Sequence, residues 1–228
     1  MQIWFAAFHS DPETLRALEV TLSQRERDRA SRFVFDKHRV RYIFAQGVLR
    51  DVLSRATGIP AAEIAFTSNS YGKPFLKAPA GGPSLQFNLS HSDDLVAVGL
   101  ASHGEIGVDV EFIRHVLDLH GVAQNNYTQG EFESLLDAPE HAQQALFFRY
   151  WTRKESYIKA VGKGLSIPLN TFDTRFPPEA KGRAFGRTPD APHVDSWWME
   201  DLKPPSNYAG AVTIEKGLDR IEYFNWRR

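Results

Sequence analysis

Apolar positions in this chain follow two periods. Between residues 36 and 56, Val40, Phe44, Val48, Val52 and Ala56 recur every fourth residue, the spacing that lines one face of a helix. Gly58 and Pro60 then predict its end. A second long helix is predicted over residues 139–161, closed by Gly162 and Gly164. Shorter helices are expected to begin at Ser23-Gln24-Arg25-Glu26, running to about Phe33, and at Thr128-Gln129-Gly130-Glu131. In each, a hydroxyl residue stands three positions before a glutamate, as a capping box requires. Strands are predicted at the N-terminal start, over residues 64–67 and 73–76 around the turn 68–72, and near 86–89, 95–100, 106–110 and 208–214. Pro74 predicts an edge position. Two stretches rich in Pro and Gly, 78–84 and 181–205, are predicted to be loops.

One pattern occurs twice. A long helix, a glycine, Ile59-Pro60 and a strand are echoed about 108 residues later by a long helix, Gly164, Ile167-Pro168 and a strand expected near Phe172. Helix stops made of Gly and Pro would by themselves produce such an echo.

Composition narrows the class. A chain of 228 residues with 42% hydrophobic content is long enough to bury a core in one domain or two small ones. No apolar run approaches the roughly 18 residues of a membrane span, and Met1-Gln2-Ile3-Trp4-Phe5 lacks the basic start of a signal peptide, so a soluble cytoplasmic protein is expected. The absence of cysteine excludes disulfides and Cys-ligated zinc. The net charge of -1 hides an asymmetry: residues 16–55 hold ten Lys or Arg against five Asp or Glu, and residues 90–145 hold ten Asp or Glu against Arg114 alone. A polyanion held between two such regions would meet bases on one side and acids on the other, although two solvated helix faces would carry the same charges. Nucleic acid is disfavoured, because the chain is not basic overall and lacks interleaved aromatic and basic residues.

The candidate chemistry lies in two segments. In Gly107-Val108-Asp109-Val110-Glu111, strand alternation puts Asp109 and Glu111 on one side, expected to be the wet face, roughly 6.5 to 7 Å apart along the strand. In Trp151-Thr152-Arg153-Lys154-Glu155-Ser156-Tyr157-Ile158-Lys159, Trp151, Glu155 and Lys159 share a helix face. Three carboxylates and a lysine suit magnesium-assisted chemistry on a phosphate ester, since magnesium takes hard oxygen ligands. The competing reading is structural: an acidic wet strand face, and a solvated Glu155–Lys159 pair contributing about 0.3 to 0.5 kcal/mol. Trp151 reads as core.

Taken together, Phe87-Asn88-Leu89-Ser90-His91-Ser92, the Gly107–Glu111 segment and the Trp151–Lys159 segment with Gly162-Lys163-Gly164-Leu165 resemble the 4'-phosphopantetheinyl transferase superfamily, of the monomeric type that activates surfactin synthetase. The likeness runs from about Met1 past Pro168. It implies an α+β fold of two similar halves related by a pseudo-twofold, taken as residues 1–104 and 105–228, with a ligand cleft between them. It also implies transfer of 4'-phosphopantetheine from coenzyme A to a serine of an apo acyl or peptidyl carrier protein, releasing adenosine 3',5'-bisphosphate. Asp109, Glu111 and Glu155 match the family's magnesium ligands, with manganese an alternative. Glu155 also matches the residue assigned as base, and its ligand role ranks first because a carboxylate donating to a cation becomes less basic. Lys159 matches the lysine that neutralises the departing phosphate. Lys73, Ser90 and His91 match positions that contact coenzyme A phosphates, and Arg29 and Arg41 match basic positions toward the 3'-phosphate. Two departures stand out: Glu26 occurs where some relatives carry lysine, and Asn125-Asn126-Tyr127 where relatives show consecutive phenylalanines. Other readings are a different magnesium-dependent phosphoryl or nucleotidyl transferase, disfavoured because no phosphate-loop or kinase motif is present, and a non-catalytic carrier-binding protein.

Overall fold

The computed structural model describes residues 1–77, 85–176, 197–215, 217 and 220–228. In chain order the elements are β1 (Gln2–Ala7), α1 (Pro12–Glu19), α2 (Gln24–Ser31), α3 (Asp36–Thr57), β2 (Phe66–Ser68), β3 (Pro74–Leu76), β4 (Gln86–Ser92), β5 (Leu95–Ala101), β6 (Ile106–Phe112), α4 (Leu119–Asn126), α5 (Gln129–Asp137), α6 (Glu140–Val161), β7 (Trp197–Asp201), β8 (Tyr208–Glu215) and β9 (Glu222–Asn225). Short 3₁₀ turns lie at Ala61–Glu63, Gly164–Ser166 and Leu169–Thr171. Both predicted capping boxes form, Ser23 with Glu26 and Thr128 with Glu131. Both long helices end in a left-handed glycine, Gly58 at φ 73° and Gly162 at φ 73°, a conformation in which glycine has no Cβ penalty.

Two sheets form the centre. One has the order β4-β5-β1-β9, the other β6-β8-β7, and β2-β3 is a separate hairpin. Ile3, Phe5, Leu95 and Ala97 of the first sheet pack against Ile106, Val108, Val110, Val212 and Ile214 of the second. The opposite face of the first sheet, with Ala6, Val96, Val98 and Leu100, is covered by Phe44, Val48, Val52 and Leu53 of α3. The opposite face of the second sheet is covered by α6, where Ser156 and Thr213 share a hydrogen bond of 2.8 Å. The architecture is therefore α+β, with a helix, two stacked sheets and a second helix. No described helix is long and apolar enough to cross a membrane.

Several expectations are corrected. The face of β6 carrying Asp109 is covered by α6 rather than open to water, and Asp109 is 3% exposed. Gly107 makes this possible: a Cβ there would lie 2.0 Å from the Ser156 carbonyl oxygen and 2.3 Å from the Ala160 nitrogen. The predicted loop 181–205 contains strand β7, whose Trp197 and Met199 are buried; residues 181–196 and 78–84, the latter also predicted to be a loop, lie outside the described residues. No strand forms near Phe172, since Leu169–Thr171 is a 3₁₀ turn and Phe172 is buried against Tyr157 in the core under α6. The strand β9 belongs to the second half in sequence but pairs in parallel with β1 of the first.

Candidate active site

The edges of the two sheets meet along β4 and β6, and side chains make the join. Asn88 Oδ1 accepts from Val108 N at 2.9 Å, Ser90 Oγ from Val110 N at 3.3 Å and Ser92 Oγ from Phe112 N at 3.1 Å. The two-residue period of β4 places all three acceptors on one side. The same hydroxyls reach the acids, Ser90 donating to Asp109 Oδ1 at 2.9 Å and Ser92 to Glu111 Oε2 at 2.6 Å.

From the other side, α6 brings Lys159 and Glu155. The Lys159 ammonium donates to Asp109 Oδ1 at 2.6 Å, Ser90 Oγ at 3.1 Å and the Val108 carbonyl at 3.3 Å. Lys159 thus pairs with a strand acid across the interface instead of forming the surface pair with Glu155 that the competing structural reading offered. Glu155 has no hydrogen-bond or ion-pair partner among the described residues, and Asp109 Oδ2 is buried without a partner. Burial raises the Asp109 carboxyl above its ordinary pKa, opposed by Lys159 and Ser90. Burial and then the neighbouring Asp109 and Glu111 charges raise Glu155, opposed by Lys159. Glu111 is likewise raised by burial, with Ser92 opposing. Among the described residues, however, no three His, Asp or Glu side chains are gathered closely enough to form a metal-holding group. The expected triad of Asp109, Glu111 and Glu155 shares one cleft without being drawn together.

The cleft, of about 300 Å³, is lined by Arg29, Tyr42, Gln46, Leu89, Ser90, His91, Asp109, Glu111, Glu155 and Lys159. A larger cavity of about 760 Å³ shares Arg29, Tyr42, His91 and Glu111 with it and adds His38, Arg41 and Arg114. Residues of the expected basic side and acidic side therefore line two adjoining cavities with a shared wall. His91 keeps an exposed surface at the cleft, and desolvation by surrounding atoms, then the Lys159, Arg29 and Arg41 cations, push its imidazole down.

Not every expected residue is free for a ligand. Arg41 lines the larger cavity but donates to Asp93 at 2.9 Å and Asp94 at 2.6 Å. Ser90 gives its one hydrogen to Asp109 while Val110 N and Lys159 occupy its lone pairs, so it supplies no further donor. Lys73 is outside the cleft: its ammonium donates to Glu105 Oε2 at 2.6 Å and to the Ala160 carbonyl at 2.7 Å. Glu26, which stands where lysine occurs in relatives, caps α2 and pairs with buried Arg50 at 2.8 Å. Trp151 stacks on Phe147 at 5.9 Å in the core under α6. Tyr42 and Gln46 were not singled out by the sequence reading. Their signal is the stripe His38, Tyr42, Gln46, spaced by four beside the apolar stripe of the same helix, with Arg29 lying 5.4 Å over the Tyr42 ring.

Comparison with known proteins places the chain in a family. The profile of a family described as 4'-phosphopantetheinyl transferase superfamily matches residues 105–213, and one described as 4'-phosphopantetheinyl transferase, N-terminal, matches residues 7–104. The 4'-phosphopantetheinyl transferase HetI of Nostoc sp. is 33% identical over 214 residues, covering 94% of this chain and 87% of the relative. The 4'-phosphopantetheinyl transferase psf-1 of Bacillus pumilus is 34% identical over 176 residues, covering 77% and 72%. The 4'-phosphopantetheinyl transferase Sfp of Bacillus subtilis (strain 168) is 32% identical over 154 residues, covering 68% and 66%. The chain belongs to the 4'-phosphopantetheinyl transferase superfamily.

Proposed function

We propose that this cleft transfers 4'-phosphopantetheine from coenzyme A to a serine hydroxyl of an apo carrier protein. The observation that carries the reading is that Asp109, Glu111, Glu155 and Lys159 line one cleft with His91 and Arg29, adjoining a larger cavity lined by further bases. In the reaction, the serine oxygen forms a bond to the phosphorus bearing pantetheine. The bond from that phosphorus to the bridging oxygen breaks, and adenosine 3',5'-bisphosphate leaves with the electron pair. Glu155, unpaired and with a carboxyl held above its ordinary range, is suited to take the serine proton. Lys159 places positive charge where the leaving phosphate gains negative charge. Arg29, Arg41 and His91 hold the anionic nucleotide end, Arg41 exchanging its aspartate partners for phosphate. The apo carrier presents its serine at the mouth of the cleft, and the enzyme acts as a cytoplasmic monomer with halves 1–104 and 105–228.

The donor set also fits a divalent cation. Asp109 Oδ2 is a buried carboxylate oxygen without a hydrogen-bond partner, its charge being paired with Lys159 through Oδ1 alone, and a buried acceptor left unsatisfied carries a desolvation cost. Asp109, Glu111 and Glu155 would hold magnesium or manganese through hard oxygen atoms. Bound there, the metal supplies Lewis-acid polarisation and charge neutralisation at a diphosphate.

Purified protein incubated with coenzyme A, magnesium and a panel of apo acyl and peptidyl carriers tests the reading by intact mass spectrometry. A carrier gaining one phosphopantetheine mass, with ATP irrelevant, is the expected result. No gain with any carrier, or a gain that needs ATP, would overturn it.

A further inference from the structure

Lys73, expected to meet a cofactor phosphate, has partners within the protein. Lys73 is 9% exposed and sits at the start of the second arm of the β2–β3 hairpin, in the first half of the molecule. Its ammonium binds two places in the second half. Glu105, at 2.6 Å, immediately precedes β6, the strand that carries Asp109 and Glu111. The Ala160 carbonyl, at 2.7 Å, lies in the last turn of α6, next to Lys159. Asn69 of the same hairpin donates to the Gly162 carbonyl at 2.8 Å. The last carbonyls of a helix have no partner within it, so this hairpin supplies the partners that end α6.

The contact is built from both sides. Asn69 Oδ1 accepts from Tyr71 N and Lys73 N at 3.0 Å each, which fixes the turn. A Cβ at residue 162 would lie 2.7 Å from Lys73 Cδ and 3.2 Å from Asn69 Nδ2. Gly162 is therefore needed twice, for its left-handed backbone and for the approach of the hairpin.

We propose that Lys73 is a positioning residue of the transfer reaction: by bonding the root of β6 and the end of α6 at once, it sets Lys159 against Asp109. The inference rests on the proposed function of the cleft. It assigns the Lys73 charge to the geometry of the second half instead of to the cofactor. Removing it lets the last turn of α6 shift, and small misplacements of groups in a reacting cleft cost large factors in rate.

The test combines steady-state kinetics with NMR of full-length protein carrying lysine labelled with ¹³C at Cε, the Lys159 signal being assigned through Lys159→Arg. Lys73→Met is expected to lower kcat about 10- to 100-fold with the KM for coenzyme A unchanged, and to move the Lys159 signal. Lys73→Arg is expected to restore part of kcat. Glu105→Gln, which leaves the Ala160 contact in place, is expected to move the same signal by less, and serves if Lys73→Met does not fold. A raised KM for coenzyme A at unchanged kcat would return Lys73 to the cofactor and overturn the proposal. An unmoved Lys159 signal in folded variants, with kcat per folded molecule unchanged, would reduce Lys73 to a stabilising contact and equally overturn it. Absence of transfer by the unmodified protein would instead refute the function, while the NMR arm would still report on the positioning.

Discussion

The two long helices can be compared position by position. Both span 22 residues, and both end in a left-handed glycine, so a shift of 104 carries α3 onto α6. Arg50 then falls on Lys154. Arg50 bonds Glu26 of one capping box and the carbonyls of Ala61 and Ile64, at 2.8 and 3.0 Å. Lys154 pairs with Glu131 of the other box at 2.8 Å and bonds the carbonyls of Leu169 and Phe172, at 2.7 and 2.6 Å. This buried device is common to both halves. One residue later the halves diverge. Asp51 is satisfied by Arg55 and by the indole of Trp226, each at 2.7 Å, and Arg55 lies 5.9 Å over Trp4. The corresponding Glu155 has no partner, and Lys159 turns to Asp109. The strand facing α3 offers Trp4 and Ala6 where the strand facing α6 offers Asp109 and Glu111. An acid and a base four apart on a helix therefore pair with each other in one half and part in the other, and the facing strand decides which.

The comparison is broken most directly by rate. Glu155→Gln and Asp109→Ala are expected to lower kcat by about 10²- to 10⁴-fold, with circular dichroism melts showing a folded protein, whereas Asp51→Asn leaves kcat unchanged. Equal losses in both halves would show that the divergence is not functional. Next in size is the shared device. Glu131→Ala strands a fully buried ammonium and is expected to cost about 3 to 5 kcal/mol in urea unfolding, and Glu26→Ala less, because that carboxylate is partly exposed. Replacing Lys154 and Glu131 together by Met and Leu should recover much of the loss.

Smaller effects sharpen the picture. His91→Ala is expected to raise the KM for coenzyme A by about tenfold, with little change in the KM for the carrier, since a hydrogen bond to a charged group contributes about 1.5 to 3 kcal/mol. The least change concerns pH. The folded protein holds the Glu155 carboxyl above its ordinary value, so its contribution favours folding below the unfolded pKa and is lost as pH rises through the folded one. Glu155→Gln should therefore melt above the parent at neutral pH, with the gain fading as the pH falls toward 4.5. A gain that persists in acid would show that the carboxylate is not strained in the folded state.

The sequence made the local chemistry legible and the long-range chemistry only in part. Both capping boxes, both glycine stops and the acid-bearing strand follow from spacing within ten residues or so, and these position Asp109, Glu111, Glu155 and Lys159. The strand Trp197–Asp201 was hidden because its neighbours are rich in Pro and Gly, and Glu222–Asn225 because its partner is β1, at the other end of the chain. The destination of Lys73 depends on contacts 32 and 87 residues away, which no local pattern encodes. The coverage of the Asp109 face follows from Gly107, whose missing side chain admits α6.

The join between β4 and β6 constrains which mutations the molecule can accept. Where strands pair through backbone atoms, every amino acid except proline brings the same pairing groups. Here the acceptors for three amides of β6 are the side chains at 88, 90 and 92. Alanine at any of them leaves a desolvated amide without an acceptor, at a cost of about 1 to 3 kcal/mol. Drift at these three codons is thus confined to short residues carrying an oxygen, however little each one touches the substrate.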